Sequence, residues 1–174
     1  MKTLNNYINE WKATNDTLSS IEKTYVYYKK YFVYEIKKKS NINIFNFEWP
    51  QLFLYTSKVY INDEKVDLDS AGYTDKKYDP GTYFIKIDDI NNITNHKWMF
   101  WGCNTLISVP FFDTKNSKSM EGMFYNCTNL KDVPLLHTAG INTAWLFKKC
   151  KNLSFETRLR WRFAYNFETD NDDD

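Results

Sequence analysis

The residues to weigh first for chemistry are Cys103, Cys127 and Cys150, the only cysteines among 174 residues. Each closes a recurring phrase, "MFWGC", "MFYNC" and "LFKKC", and each is followed by two residues and a Leu. A tetrahedral metal site commonly draws on Cys-x-x-Cys pairs or a neighbouring His, and neither pattern occurs here. Thiols at one register of successive coils also point the same way, which disfavours disulfide geometry unless the backbone shifts. The expected role is architectural, a buried column of small apolar side chains. His96 stands where Met120 stands in the next copy of the phrase, so packing or a rim position is expected. His137 replaces Asp113 at a turn and is expected to face water. Neither histidine has an oriented partner in the sequence that would make it a general base. No phosphate loop, dinucleotide fingerprint, zinc-protease helix or nucleophile elbow is present. The acidic pair Asp88-Asp89 and the closing "DNDDD" lack the alternating ligands and glycine turn of a calcium loop. The acidic end reads as solvated. The chain is therefore expected to have no catalytic residue, cofactor or metal, and not to be an enzyme.

The elements that would carry these residues must be built from an aromatic-rich chain. Hydrophobic residues make up 43% and aromatics 18%, with thirteen Tyr, thirteen Phe and six Trp, enough for a sizeable core. The balance of 23 basic against 22 acidic residues gives a net charge of +1, so no overall field favours nucleic acid as a partner. The opening "MKTLNNYINEW" has no apolar run of the signal-peptide kind. No stretch reaches the ~18 apolar residues of a membrane span. The expected location is the cytoplasm of the producing cell, or a particle assembled there. The odd cysteine count suits a reducing compartment.

Four segments differ in texture. Residues 1–40 read as helical. Leu4, Tyr7, Ile8 and Trp11 keep a helical spacing, and Ser19 with Glu22 forms a capping-box signature. Ile21, Tyr25, Tyr28, Phe32 and Ile36 then fall on one stripe. The β-prone run "TYVYYKKYFVYEI" makes a strand the rival reading, and the helix is preferred. Residues 41–90 read as a β-rich lead-in. It has an Asn-Asp hairpin turn in "SKVYINDEKVDL" and a strand "GTYFIKI" in which Tyr83, Ile85 and Ile87 alternate with polar positions, Phe84 excepted. Residues 154–174 form the last segment, expected as a capping strand with an acidic tail.

Between them, residues 91–153 hold a repeat. The stretches 107–130 and 131–153 are copies of 24 and 23 residues, and the back half of an earlier copy lies at 89–106. A period in the twenties is the mark of a solenoid, in which each unit buries its apolar face against its neighbours. The phrase "FDTKNSKSMEGMFYNCTNL" resembles the BspA-like leucine-rich repeat of bacterial surface proteins, Phe-Asp-Thr-Ser-Asn-Val-Thr-x-Met-x-x-Met-Phe-x-x-Cys-x-x-Leu. The resemblance is close at 112–130, good at 89–106 and looser at 137–153, where Leu146 replaces Met and one residue is missing. With its lead-in it spans roughly residues 58–153. It implies a short repeat solenoid; with the helical segment and the β-hairpin region read from the residues as its amino-terminal cap, the expected fold is α+β.

Within 156–167, "ETRLRWRFAYNF", apolar Leu159, Trp161, Phe163, Tyr165 and Phe167 alternate with Arg158, Arg160 and Arg162. A strand closing the last coil, arginines outward, is preferred over a recognition strip for an acidic partner or nucleic acid. The function expected is a non-enzymatic protein-binding or structural module. The candidate contact residues are Ile107, Ser108, Lys131 and Asp132 beside the Val-Pro pairs, with Arg158, Arg160 and Arg162. Two settings are weighed: a bacteriophage virion component (capsid decoration, fibre or tail protein), and an intracellular phage-encoded inhibitor of a host defence protein.

Overall fold

The computed structural model describes residues 30–46 and 58–167. Five short strands form one antiparallel sheet: β1 (Phe32–Ile36), β2 (Val59–Ile61), β3 (Glu64–Val66), β4 (Gly81–Ile87) and β5 (Leu106–Ser108). Their order across the sheet is β3-β2-β4-β1-β5. The hairpin between β2 and β3 turns where the sequence placed it. Asn62 and Asp63 take φ of 51° and 66°, the left-handed pair that matches strand twist and that Asn and Asp tolerate best after Gly. In β4, Tyr83, Ile85 and Ile87 are buried in the same core as Phe32, Tyr34 and Ile36 of β1. Phe84, out of pattern in the sequence, pairs with Val33 and is buried on the other face, with the Tyr31 ring edge-on to it at 6.1 Å.

The expected α+β arrangement of helical cap, repeat solenoid and capping strand is corrected on each count. Phe32–Ile36 is a strand, not the end of a helix; the rest of the expected helix, up to residue 29, lies outside the described residues. Hydrogen-bond partners on both sides, β4 and β5, decide it; Phe32 and Ile36, which also fit the helical stripe, fall with Tyr34 on one face of a strand of period two. The repeats build no solenoid sheet. Their one regular strand, β5, pairs antiparallel with β1, while copies meet in parallel only at the isolated bridges Ser108–Asp132 and Ser119–Asn142. The carboxyl segment is a short helix, α1 (Phe155–Trp161), rather than a strand. Ser154 caps it, its Oγ accepting the Thr157 N–H at 3.1 Å, and Glu, Arg and Leu are good helix formers. Leu159, assigned to the buried face by alternation, is 45% exposed.

Beside the sheet the copies form three stacked tiers of turns, and every backbone N–H from 98 to 103 can be accounted for. The N–H groups of His96, Trp98, Phe100 and Gly102 donate across to the carbonyls of Ser119, Glu121, Met123 and Tyr125 at 2.9–3.0 Å. Those of Met99, Trp101 and Cys103 donate back three residues within their own tier. The second tier repeats the rule, with Met120, Gly122, Phe124 and Asn126 donating to Asn142, Ala144, Leu146 and Lys148 at 2.8–3.0 Å. This alternation needs left-handed backbone at two places per tier. They are Trp98, Gly122 and Trp145 (φ 59°, 58°, 56°) and Gly102, Asn126 and Lys149 (φ 72°, 58°, 64°).

Inside the tiers a column of rings forms. Phe100 and Phe124 stack at 5.6 Å and 3°, and Phe124 and Phe147 at 5.7 Å and 5°. Phe45 covers the first ring at 5.7 Å, and Phe167 the last at 5.8 Å. Leu106, Leu130 and Leu153 are buried beside them. Phe124, fully buried between two parallel rings, is the centre of the column. Phe124→Ala is expected to lower unfolding free energy by ~3–5 kcal/mol, the range for a buried aromatic. Urea denaturation checks this, and a loss below ~1 kcal/mol would mean the ring is not enclosed.

Candidate binding surface

The stacking that buries the phenylalanines turns two other positions of each tier outward. They carry Trp98 and Trp101 in the first tier, Gly122 and Tyr125 in the second, and Trp145 and Lys148 in the third. Trp98 lies across the bare backbone of Gly122, where a β-carbon would come within 1.8 Å of its Cζ3. That gap lets Trp98 reach Trp145, two tiers away, at 5.9 Å, while Trp101 and Tyr125 meet it at 5.7 and 5.9 Å. The four rings and Lys148 line a pocket of about 420 Å³. A second pocket of about 480 Å³ is lined by Thr143–Trp145 and by Arg162–Asn166. Trp145, 48% exposed, is the wall common to both.

The charges around this surface are mostly basic. Lys97 lies 5.9 Å from the Trp98 ring and pairs with Glu121 at 3.0 Å, and Glu121 also accepts from Asn142 at 3.1 Å. Lys149 sits 5.9 Å from the Tyr125 ring, and the Arg162 guanidinium 4.5 Å from Phe163, which is 89% exposed. Among the described residues Lys148, Lys149 and Arg162 form no ion pair.

The residues singled out from the sequence fall in several places. Ile107 and Ser108 lie in β5; Ser108 is buried, and the Ile107 carbonyl accepts the N–H groups of Lys131 and Asp132. Lys131 is exposed, and its carbonyl accepts from Ser154 N–H at 2.9 Å and Thr157 Oγ1 at 3.1 Å. Asp132 is held by Arg160 at 3.0 Å and by the Thr157 hydroxyl at 3.1 Å. Arg160 also donates to the Val133 carbonyl at 2.6 Å, so this arginine fastens α1 to the tiers. Arg158 is exposed beside the Phe167 ring, and Arg162 is exposed at the second pocket. The structure thus brings Asp132 and Arg160 together and separates Arg162 from them. Sequence reasoning passed over Trp98, Trp101, Tyr125 and Trp145. The signal was present: aligned copies set two tryptophans in the slot that Gly122 fills in "SMEGM". It also passed over Phe111 and Leu135, which follow the Val-Pro pairs and are 64% and 47% exposed.

The groups first weighed for chemistry are enclosed. Cys103, Cys127 and Cys150 are buried thiols outside any disulfide. Cys127 Sγ donates to the Phe100 carbonyl and Cys150 Sγ to the Phe124 carbonyl, each at 2.9 Å, so the thiols serve as second donors between tiers. Burial pushes the Cys103 and Cys127 thiols well above their ordinary range, with neighbouring cysteines adding to the effect at Cys127. Among the described residues no group of three or more His, Cys, Asp or Glu could hold a metal. No helix among them is long and apolar enough to cross a membrane. His96 is fully buried against Phe112, with Nδ1 2.9 Å from Ser117 Oγ. The Ser117 hydroxyl spends its one proton on the Ser119 carbonyl at 3.0 Å. Nδ1 must therefore be the protonated nitrogen, which leaves Nε2 a bare lone pair without a partner. Burial lowers its pKa to about 4. His137 is exposed, as its turn position implied.

No protein-family model, curated protein or solved structure matches this chain. The resemblance of its repeat phrase rests on the motif residues alone.

Two measurements check the enclosed groups. A thiol reagent is expected to leave all three cysteines unmodified in the native protein and to titrate three on unfolding, and Cys127→Ala should cost about 1 kcal/mol. Rapid native labelling, or bound zinc at one equivalent, would refute the architectural role. For His96, the unfolded chain takes up the proton near pH 6.5 and the folded chain only near pH 4. Stability is therefore full above pH 6.5 and falls through that window at about 1.4 kcal/mol per pH unit. His96→Met should remove this component from the stability profile; an unchanged slope between pH 6.5 and 4 would show that His96 is not its source.

Proposed function

We propose that this chain is a non-enzymatic binding module that holds another protein on the face carrying Trp98, Trp101, Tyr125 and Trp145. The observation behind the reading is the pair of tryptophans in left-handed backbone, at φ 59° and 56°, in a register that Gly122 fills between them. A bulky side chain in that conformation costs ~1–2 kcal/mol per residue. At Trp145 nearly half the indole remains in water, so burial offsets only part of that cost. Strained backbone of this kind concentrates at functional sites, and exposed Trp and Tyr are enriched where proteins meet. The resemblance of the repeat phrase to bacterial surface proteins supports a binding role. The setting we propose for the chain is a bacteriophage virion, as a decoration, fibre or tail component.

The test is quantitative capture by full-length protein from the cells that make it, with Trp145→Gly as the comparison. The variant is expected to remain folded, losing no more than about 2 kcal/mol because strain is relieved as contact is lost. It should fail to retain a protein that the natural chain binds at fixed stoichiometry. Equal retention by the variant would overturn the assignment of this face. Mass spectrometry of purified particles separates the settings: a symmetric copy number supports the virion role, and absence from particles favours the intracellular inhibitor.

A further inference from the structure

Resting on that reading, the geometry points to a particular class of partner: an extended acidic peptide segment, laid across Trp145 with an apolar side chain in the four-ring pocket. Three observations carry this. The two pockets share Trp145 as a lining residue, so a chain of several residues laid over that ring reaches both compartments, as a compact ligand would not. Among the described residues, the charged side chains lining them are Lys148 in one compartment and Arg162 in the other. Glu121, paired with the lysine that lies over the Trp98 ring, is already engaged by Lys97 and Asn142. Aromatic walls desolvate whatever enters, and cations in such a setting select for carboxylates and against amines.

Single-stranded nucleic acid shares some of this chemistry but fits less well. It carries a charge at every nucleotide and is tracked by grooves with many cations, stacking its bases on open ring faces. Here Trp101 and Tyr125 stand edge-on to each other at 80°, and two cations line the groove. A cationic ligand in an aromatic cage is opposed by Lys148, Lys149 and Arg162.

The probe is a random dodecapeptide library selected on the full-length protein, with the binding of enriched peptides read by tryptophan fluorescence. Expected are sequences with carboxylates on both sides of a Leu, Phe or Trp, weakened at least about tenfold by Lys148→Glu with Arg162→Glu, and weakened by added salt. The charge-reversed protein should select basic sequences instead. Enrichment of basic or uncharged peptides that still require Trp145 would overturn the acidic proposal and leave the binding face standing. Peptides indifferent to Trp145→Gly would overturn both. Tighter binding of a thymidine oligonucleotide, or a Trp145-dependent dimer in sedimentation, would assign the groove to nucleic acid or to a second copy, and no enrichment at all would reject the proposal. Neutralising Asp170, Asp172, Asp173 and Asp174 to Asn tests the chain's own acidic stretch. If acidic peptides are selected only by that variant, the groove serves an internal segment and the proposal falls.

Discussion

The N–H groups of His96, Trp98, Phe100 and Gly102 point out of their tier, and they would be buried without partners if the next tier did not offer its carbonyls. Eight such bonds run in one direction through the three tiers, and much else follows from them. Because alternate N–H groups go across and the others turn back three residues, the backbone must bend the same way twice in each tier. Left-handed φ at two fixed registers is the result. Glycine and asparagine meet that demand at Gly102, Gly122 and Asn126; Trp98, Trp145 and Lys149 meet it under strain. The thiols of Cys127 and Cys150 tie the tiers in the opposite direction, donating to carbonyls one tier back.

A one-way ladder needs a beginning and an end, and other parts of the chain supply both. At the start, the Asn46 N–H meets the Met99 carbonyl and Phe45 covers the Phe100 ring, so the segment after β1 serves as the tier before the first. At the finish no fourth tier exists among the described residues. The Tyr165 hydroxyl accepts the Phe147 N–H at 3.3 Å, and the Thr157 hydroxyl accepts the Val133 N–H at 3.3 Å. Trp161 donates its indole N–H to the Val133 carbonyl and sets its ring edge-on to Phe147 at 5.0 Å. A helix closes the stack because its side chains can present hydroxyls and rings at the required heights. A strand would have had to offer main-chain carbonyls in register.

The same geometry that buries Phe100, Phe124 and Phe147 leaves the neighbouring left-handed positions at the surface. At Trp98 and Trp145 the side chain has little core to join, whereas Gly122 between them is held to glycine by the Trp98 ring. Tryptophan at two of the three positions, with Gly122 leaving room between, makes a continuous aromatic face. Lys148 and Arg162 then set its charge.

Much of this was legible from residue types. The Asn62-Asp63 turn, the β4 alternation and the common register of the phenylalanines and cysteines each rest on local chemistry or on a repeat, and neither depends on distant partners. The expected helix through Phe32–Ile36 failed because five residues rich in aromatic and β-branched types suit both periods. Contacts with β4 and β5, some 50 and 70 residues away in sequence, chose between them. The expected strand at 156–167 failed for a local reason, the Ser154 cap, which outweighed an alternation of apolar residues. A solenoid was inferred from the period and from the resemblance of the repeat phrase. Repetition specifies that copies stack, and the sequence by itself determined that much, with the ring column and the enclosed thiols as consequences. Whether copies join through a parallel sheet or through stacked turns depends on where each N–H finds its acceptor. That choice, with the pairing of β5 to β1 and the meeting of Trp98 and Trp145 over Gly122, was made only in the tertiary structure, because it turns on groups far apart in the chain becoming neighbours.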